Sequence, residues 1–194
     1  MDILQTITQE FNLNPTHAKN ILSLIDEGNT IPFIARYRKE MTGSCDDQVL
    51  RALSDRLTYL RNLEKRKEEV SSAIGEQGKL TDEIKAALEK AVTLTEVEDI
   101  YRPYKQKRKT RASVAVAKGL QPLADAILAQ DKALDVRREA EKYITEEVKT
   151  ADEAIAGAQD IIAEIISDDA ATRKKIRNFF FSHGEIATSY VKRK

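Results

Sequence analysis

The sequence predicts an all-α fold, and three observations favour it. The 194 residues include only seven Gly and four Pro, the two residue types that weaken helices most. Charged residues make up 33% of the chain, above the usual ~25%, and Ala, Glu, Lys, Leu and Arg, which favour helix, are abundant. Apolar residues recur at three- and four-residue spacing, which places them on one helix face. A chain of this length buries about 70% of its unfolded surface, so it needs neither metal nor disulfide to fold.

The N-terminal part of the chain predicts three short helices, the first over residues 1–11. The second helix begins where Asn14 can cap it and Pro15 suits the first helical position. Gly28 can end this helix. The third helix covers residues 32–43 and runs from a proline to a glycine.

The longest predicted helix covers residues 46–74 and forms a helical hairpin with the helix after it. Gly75 and Gly78 should end the long helix, and Thr81 should cap the next one. Two helices joined by so short a turn pack as an antiparallel hairpin. The long helix carries a leucine stripe, which we interpret as intramolecular core rather than a partner-binding seam: Leu50, Leu53, Leu57, Leu60 and Leu63.

Helices are also predicted beyond the hairpin. Thr95 and Glu98 match a capping box, which would open a short helix that ends near Tyr101. Pro122 suits the first turn of a later helix, and Gly184 should end the last helix. The remaining helices are predicted over residues 134–144, 151–166 and 169–181.

We divide the chain into two helical modules, residues 1–118 and residues 119–194. The second is predicted to be a small helix-turn-helix-like module. The tail over residues 184–194 has the alternation of a strand, at Ile186, Thr188 and Tyr190. It has no clear terminal element, so we expect the second module to continue beyond residue 194.

Residues 101–111, with the sequence YRPYKQKRKTR, form a basic segment without a carboxylate. The whole chain balances 32 basic against 32 acidic residues, so this segment is a local concentration of positive charge. Pro103 biases the residue before it away from helical geometry and predicts an irregular loop. The candidate nucleic-acid-binding residues are the six cations and two tyrosines of the segment: Arg102, Lys105, Lys107, Arg108, Lys109, Arg111, Tyr101 and Tyr104.

Two interpretations of the basic segment stay open. In the first, its cations meet the phosphates of a polyanion and its tyrosine rings stack on bases. In the second, the cations form structural ion pairs with Glu96, Glu98 and Asp99, or with acidic residues of the longest helix. Exposed ion pairs contribute only about 0–1 kcal/mol each, so stability alone is a weak reason to collect six cations.

The sequence predicts no catalytic residue, metal site or cofactor. It contains no phosphate-binding glycine loop, and its two histidines have no partner at metal-ligand spacing. Helix capping explains both acidic pairs, because adjacent residues do not share a helix face. The side chains that we considered for chemistry and interpret as structural are His17, His183, Cys45, Asp46–Asp47 and Asp168–Asp169.

A second cationic cluster covers residues 36–39 of the third predicted helix. Phe33 and Ile34 share that helix, and its inner face must be buried. We therefore interpret the cluster as an ordinary solvated face rather than a binding site.

Composition also limits location and partners. A protein that coats nucleic acid over its whole surface would be basic, whereas the formal net charge here is zero. The single cysteine allows no intrachain disulfide, no apolar run approaches the ~20 residues of a membrane span, and the first residues lack a signal-peptide pattern. We expect a cytoplasmic protein with no membrane contact and no small-molecule substrate.

Five segments in one order closely resemble the N-terminal region of the bacterial Tex family, the transcription accessory proteins. They are TIPFIARYRKEMTG (residues 30–43), EQGKLT (76–81), EDIYRPYKQKRKTRA (98–112), KGLQPLA (118–124) and ISDDAATR (166–173). The resemblance spans essentially the whole chain. The family's basic segment reads EDLYxPYKxKRRTRA, so Ile100 and Lys109 are departures, and Cys45 and the two residues after it differ from the Leu-Asp expected there. None of these departures removes the charge of the basic segment.

The resemblance implies a function located mostly outside this chain. Full-length Tex proteins are similar to a eukaryotic transcription elongation factor, and they are elongated and mainly helical. They carry a ribonuclease-H-like domain, generally considered inert, together with helix-hairpin-helix elements and a C-terminal S1 domain. The S1 domain is the family's main nucleic-acid binder, and none of these domains is in this sequence.

Three hypotheses follow for this region. The first is a non-catalytic scaffold, in a protein that binds RNA mainly through the absent domains, with an accessory phosphate contact from the basic segment. The alternative is a protein-interaction scaffold that docks on the transcription machinery or on later domains of its own chain. The third and least favoured is a nuclease that acts through Asp168 and Asp169 with a divalent metal ion.

Overall fold

The computed structural model describes residues 2–190, and within that range the regular structure is helical, with no strand. The predicted all-α class is therefore confirmed. The chain divides into two compact units, one up to Val97 and one from Glu98. None of the described helices is both long enough and apolar enough to cross a membrane.

Among its described residues, the first unit contains six whole helices and the start of a seventh. The six are α1 Ile3–Glu10, α2 Pro15–Asp26, α3 Ile31–Tyr37, α4 Lys39–Thr42, α5 Asp47–Glu76 and α6 Asp82–Lys90. Their starts follow from local caps. The side chain of Asn14 accepts from the Thr16 N–H at 2.9 Å, and that of Asp46 accepts from the Val49 N–H at 2.8 Å. The predicted cap of α6 is likewise confirmed, because Thr81 accepts from the backbone of that helix.

Two predicted boundaries in this unit are wrong. Residues 32–43 do not form one helix, because Arg38 leaves helical geometry at φ −126° and ψ 27° and separates α3 from α4. Gly43, at φ 66°, ends only α4. Helix α5 continues through Gly75 to Glu76, so the predicted end at Gly75 is wrong. The predicted break at Gly78 is confirmed, because its φ of 67° requires the left-handed region that glycine favours.

The core of the first unit forms where α1 and α3 pack on α5 and α2 packs on α1 and α3. Ile7, Ile21 and Ile34 are fully buried and belong to one cluster with the first leucines of α5. All five leucines of the predicted stripe are at most 1% exposed, which confirms that the stripe is intramolecular core. Next to it, the buried Lys67 ammonium lies 2.8 Å from a Glu64 oxygen and donates to the Glu89 carbonyl of α6 at 3.2 Å.

The second unit is built around one long helix. Its elements are the end of α7 Leu94–Tyr101, a 3₁₀ turn Arg102–Tyr104, and α8 Arg111–Ala117, α9 Gln121–Leu128, α10 Val136–Glu141, α11 Ala151–Asp168 and α12 Ala170–His183. Helix α11 packs against α8, α9 and α10. Small residues permit this close approach. A Cβ on Gly157 of α11 would lie 2.4 Å from Leu120 Cδ1 and 3.3 Å from Ala115 Cβ.

The start of α7 corrects another expectation. The N–H of Glu96 donates to Thr93 Oγ1 at 3.2 Å, and the Glu96 carboxylate accepts from the Val92 N–H at 2.9 Å. The cap is therefore formed two residues before the predicted pair of Thr95 and Glu98. The same Ser/Thr-x-x-Glu pattern occurs at both registers, so the pattern alone did not discriminate between them.

The predicted module boundary after residue 118 stays a prediction, and the compact units divide earlier along the chain. Helix α8 precedes residue 118 and packs on α11, so it belongs to the second unit. Over residues 184–190 the tail forms no strand and is exposed. The rest of the predicted strand-like tail, residues 191–194, lies outside the described residues.

Candidate nucleic-acid interface

The basic segment begins as a short turn and continues as extended chain. Helix α7 ends at Tyr101, a 3₁₀ turn follows around Pro103, and Lys105 then takes extended geometry. Thr110 closes the segment as the cap of α8, with reciprocal hydrogen bonds between its backbone and side chain and those of Ser113. The predicted irregular loop is therefore confirmed, and both of its ends are fixed.

Asp168, at the end of α11, holds two of the six cations. Arg102 Nε donates to Asp168 Oδ1 at 2.9 Å, and the Lys107 ammonium donates to Asp168 Oδ2. Lys107 also donates to Glu164 Oε1 at 2.8 Å. The Asp168 residue is only 8% exposed, so this pairing ties the first half of the segment to α11.

The electrostatics of this contact favour the charged forms of both partners. Burial acts to raise the pKa of Asp168, but the hydrogen bonds from Lys107 and Arg102 outweigh it and hold that pKa below its usual value. Burial likewise opposes the charge of Lys107, and its two carboxylate partners raise the Lys107 pKa above normal. Both shifts favour the charged forms of Asp168 and Lys107.

The other four cations differ in their partners. Lys105 pairs with Glu98, and its ammonium lies 5.3 Å from the Tyr101 ring centroid. Arg111 lies 3.5 Å from Asp160, with 89% of its side chain exposed.

Arg108 and Lys109 are exposed, and within the described residues neither forms an ion pair. Tyr101 and Tyr104 are both partly buried.

The structure therefore sorts the predicted site into two groups. Arg102, Lys105 and Lys107, which we call the inward cations, are paired with carboxylates within the same unit. Arg108, Lys109 and Arg111, which we call the outward cations, are unpaired or loosely paired. Structural ion pairing explains the first group, although its main partners lie on α11 rather than on the longest helix. The second group is exposed, and its role as a nucleic-acid contact stays a prediction.

Asp99 forms a similar contact that the sequence did not reveal. Its carboxylate, in a residue only 4% exposed, accepts from Arg173 Nε at 2.7 Å and from the Arg177 guanidinium. Burial opposes the Asp99 charge, but these two arginines hold its pKa below the usual value. Asp99 was one of the partners considered for the basic segment in the ion-pair interpretation, but it joins α7 to α12 instead.

The acidic pairs have structural roles. Asp168 holds two cations, and Asp169 caps α12 by accepting from the Thr172 N–H at 2.6 Å. Asp46 caps α5, and Asp47 pairs with Arg51 at 2.7 Å. In the part of the chain that the structure describes, His, Cys, Asp and Glu form no group of three or more suited to a metal ion.

The remaining candidates for chemistry are explained by packing. The His17 ring lies against Gly43, where a Cβ would approach its Nδ1 to 2.4 Å. His183 stacks on Phe179 with 4.8 Å between ring centroids. Burial and the neighbouring Asp46 raise the pKa of the Cys45 thiol, which disfavours the nucleophilic thiolate.

Two sequence families match separate parts of the chain. Residues 1–75 match the Tex-like protein N-terminal domain, and residues 131–194 match the Tex central region-like family. The two matches lie in the order in which their names place them along a Tex protein.

Similar proteins occur in bacteria and in animals. The chain is 43% identical over 194 residues to the transcriptional accessory protein Tex of Neisseria gonorrhoeae, covering 100% of this chain and 26% of that protein. It is 51% identical over 187 residues to the protein YdcI of Bacillus subtilis, covering 95% of the chain and 26% of that protein. A human S1 RNA-binding domain-containing protein 1 is 33% identical over 181 residues, which cover 91% of this chain and 18% of that protein.

The bacterial comparisons extend over nearly the entire chain, which spans about a quarter of the length of those relatives. The family matches and the relatives agree with each other and with the helical architecture. The chain therefore belongs to the Tex family of transcription accessory proteins, of which it represents the N-terminal region.

Proposed function

We propose that this chain is the non-catalytic helical scaffold of a transcription accessory protein that binds RNA, and that its outward cations add a phosphate contact. The names of its relatives support the wider role, since one is a transcriptional accessory protein and another an S1 RNA-binding domain-containing protein. The main affinity for RNA would lie in domains absent from this chain. The cytoplasmic location predicted from the sequence belongs to the same proposal.

One observation carries the phosphate contact: exposed cations extend from a backbone that is held at both ends. Arg108 and Lys109 are exposed without an ion pair among the described residues. The loop that bears them is braced by Lys107 on Asp168 before them and by the Thr110 cap after them. A loop already ordered loses less conformational entropy when it binds.

The inward cations have a positioning role in this proposal. Arg102 and Lys107 hold the loop on α11, and Lys105 is neutralised by Glu98. Tyr101 and Tyr104, at the start of the segment, are the residues proposed to stack on a base. A base on Tyr101 would have to displace Lys105, whose ammonium lies near that ring.

Salt dependence gives the proposal a quantitative form. For single-stranded nucleic acid, the slope of log binding constant against log salt is about −0.7 for each phosphate neutralised. Six cations would give a slope of about −4, whereas the three outward cations give about −2. The pairing of the inward cations favours the smaller value.

The test is a salt titration of single-stranded RNA binding by the chain and two variants. The first variant removes the outward cations: Arg108→Gln, Lys109→Gln and Arg111→Gln. The control removes three other exposed cations of the same unit: Lys132→Gln, Arg138→Gln and Lys149→Gln. We expect the first variant to lose affinity and most of the salt slope, and the control to keep both. Equal losses in the two variants, or no binding by the unmodified chain at low salt, contradict the phosphate contact.

A second candidate function is a protein-interaction scaffold, and the surface of α12 favours it. Phe179, Phe180 and Phe181 are 61%, 66% and 93% exposed, and no residue of α12 is buried. Exposed apolar surface of this kind is typical of protein interfaces. Its partner would be the transcription machinery or a later domain of the same protein.

This candidate is tested by binding of purified RNA polymerase to the chain and to a Phe180→Ser/Phe181→Ser variant. Weaker binding by the variant, with unchanged helix content by circular dichroism, supports docking through α12. Equal binding by both proteins, or binding by neither, removes this role of α12 on the polymerase.

A further inference from the structure

A second exposed cationic surface lies in the first compact unit, on α3 and the start of α4. We call it the α3 surface and define it by Phe33, Arg36, Tyr37, Arg38 and Lys39. The sequence suggested an ordinary solvated face beside buried apolar residues. In the structure only Ile34 of α3 is buried, whereas Phe33 is 36% and Tyr37 is 68% exposed.

The two aromatic rings of the α3 surface are adjacent, and a cation lies near one of them. Phe33 and Tyr37 are four residues apart in one helix, which places them on the same face. Their ring centroids are 5.3 Å apart with the planes at 46°. The Arg38 guanidinium carbon lies 5.4 Å from the Phe33 centroid. Rings and guanidinium planes are the groups on which proteins stack unpaired bases.

The cations of the α3 surface have no carboxylate partners among the described residues. Arg36, Arg38 and Lys39 are exposed, and none of them forms an ion pair there. The inward cations of the basic segment are paired, so the α3 surface offers more uncompensated charge than they do. Between residues 30 and 44 the only carboxylate in the sequence is Glu40.

The backbone under the α3 surface is firmly anchored. Ile34 is fully buried in the core that α5 completes. The Asn20 side-chain amide donates to the Met41 carbonyl at 3.1 Å and ties the end of α4 to α2. Close packing of Gly43 on His17 adds a second attachment there. The exposed rings and cations therefore stand on a fixed support and need little ordering when they bind.

We infer that the α3 surface binds single-stranded nucleic acid. Unpaired bases stack on Tyr37 and, where they displace Arg38, on Phe33. Arg36, Arg38 and Lys39 neutralise neighbouring phosphates. Exposed rings among unpaired cations match a polymer in which flat bases alternate with negative charges. A duplex does not offer its base faces for stacking, so the surface selects single strands. The inference does not rest on the basic segment, which belongs to the other compact unit.

A fluorescence experiment tests stacking directly, because the chain contains no Trp. In a Tyr37→Trp variant, we expect unlabelled single-stranded RNA to quench the single indole in a saturable way, and duplex DNA to quench it much less. The control is Val92→Trp, at a position of the same unit that is 60% exposed and lies outside the α3 surface. We expect no such quenching in that control.

Affinity measurements separate the ring contribution from the charge contribution. Tyr37→Ala should weaken binding of single-stranded RNA about 5- to 150-fold, the usual effect of losing one stacking platform, and leave the salt slope unchanged. The charge variant, Arg36→Gln/Arg38→Gln/Lys39→Gln, should make the salt slope shallower by about 2. Its matched control removes three exposed lysines of the same unit and should change neither the RNA affinity nor the salt slope: Lys65→Gln, Lys79→Gln and Lys90→Gln.

Several results overturn the inference. The first is Tyr37→Trp fluorescence that RNA does not quench. The second is a loss of RNA affinity in the charge variant that equals the loss in its control. The third is no RNA binding by the chain at low salt. A Tyr37→Trp signal that responds to purified RNA polymerase and not to RNA assigns the surface to a protein partner instead.

The variant of the outward cations, measured in parallel, separates this inference from the proposed phosphate contact. If RNA affinity falls only in that variant, the α3 surface is excluded and the phosphate contact stands. If affinity falls only in the α3 variants, the phosphate contact is excluded and the α3 surface stands.

Discussion

Arg102 Nε donates a hydrogen bond to Asp168 Oδ1 across 2.9 Å, although 66 residues separate the two in sequence. This contact attaches the start of the basic segment to the end of α11. Lys107 shares the same carboxylate, so one buried acidic side chain sets the course of the loop. After Lys107, Arg108 and Lys109 form no ion pair within the described residues, and Arg111 reaches Asp160 only at 3.5 Å. This difference underlies the proposed phosphate contact.

The first prediction concerns the stability that Asp168 provides. Asp168→Asn removes the charge that Arg102 and Lys107 share, and should lower the free energy of unfolding by about 1–3 kcal/mol. The control is Asp152→Asn, which breaks an exposed pair with Arg137 at 3.4 Å and should cost about 0–1 kcal/mol. Urea unfolding followed by circular dichroism measures both. Equal costs would show that the Asp168 contact does not brace the fold.

The second prediction concerns acid sensitivity. The pKa values of Asp99 and Asp168 are lowered in the folded state, so the unfolded chain binds more protons as the pH falls. Their contribution to stability is complete above the unfolded pKa of about 3.9 and is lost as the pH falls through the folded pKa values. We expect the double variant Asp99→Asn/Asp168→Asn to show a shallower loss of unfolding free energy in acid than the unmodified chain. Parallel pH profiles for the two proteins would contradict this.

The third prediction compares two helical glycines. Gly→Ala adds up to about 1 kcal/mol of stability in a helix. Gly75→Ala should add part of this, because Gly75 lies in the last turn of α5 and its new Cβ would meet only Leu80 Cδ2, at 3.8 Å. At Gly157 the new Cβ would lie 2.4 Å from Leu120 Cδ1, in a residue that is 1% exposed. Overpacking costs about 1–3 kcal/mol, so Gly157→Ala should lower stability. Stabilisation by both changes would show that α11 does not pack so closely on its neighbours.

The fourth prediction addresses the nuclease hypothesis. A nuclease acting through Asp168 and Asp169 requires a divalent ion, but the first carboxylate holds two cations and the second caps α12. We expect titration calorimetry with Mg²⁺ or Mn²⁺ to give no binding heat beyond dilution. Saturable heat that disappears in Asp168→Asn would restore the metal site and the nuclease hypothesis.

Features set by neighbouring residues could be predicted from the sequence. Asn14, Asp46 and Thr81 cap the predicted helices because each cap depends on residues two or three positions away. The leucine stripe of α5 is core, as its spacing indicated. The irregular course of the basic segment followed from its proline and its charge.

Features set by distant residues could not be predicted in the same way. The partners expected for the basic segment were acidic residues near it or on the longest helix, and Glu98 is such a partner. Asp168 and Asp160 lie on α11, and only the fold brings them to the segment. The exposure of Phe33 and Tyr37 likewise depends on which face of α3 packs on α5.

Two matched variants test directly whether the basic segment divides into bracing and binding cations. Arg102→Gln/Lys107→Gln and Arg108→Gln/Lys109→Gln each remove one arginine and one lysine. The measurement is the salt dependence of single-stranded RNA binding by both variants. We expect loss of Arg108 and Lys109 to make the slope shallower by about 1.4, and loss of Arg102 and Lys107 to leave it unchanged. Equal slopes in the two variants, or the reverse order, would contradict this division.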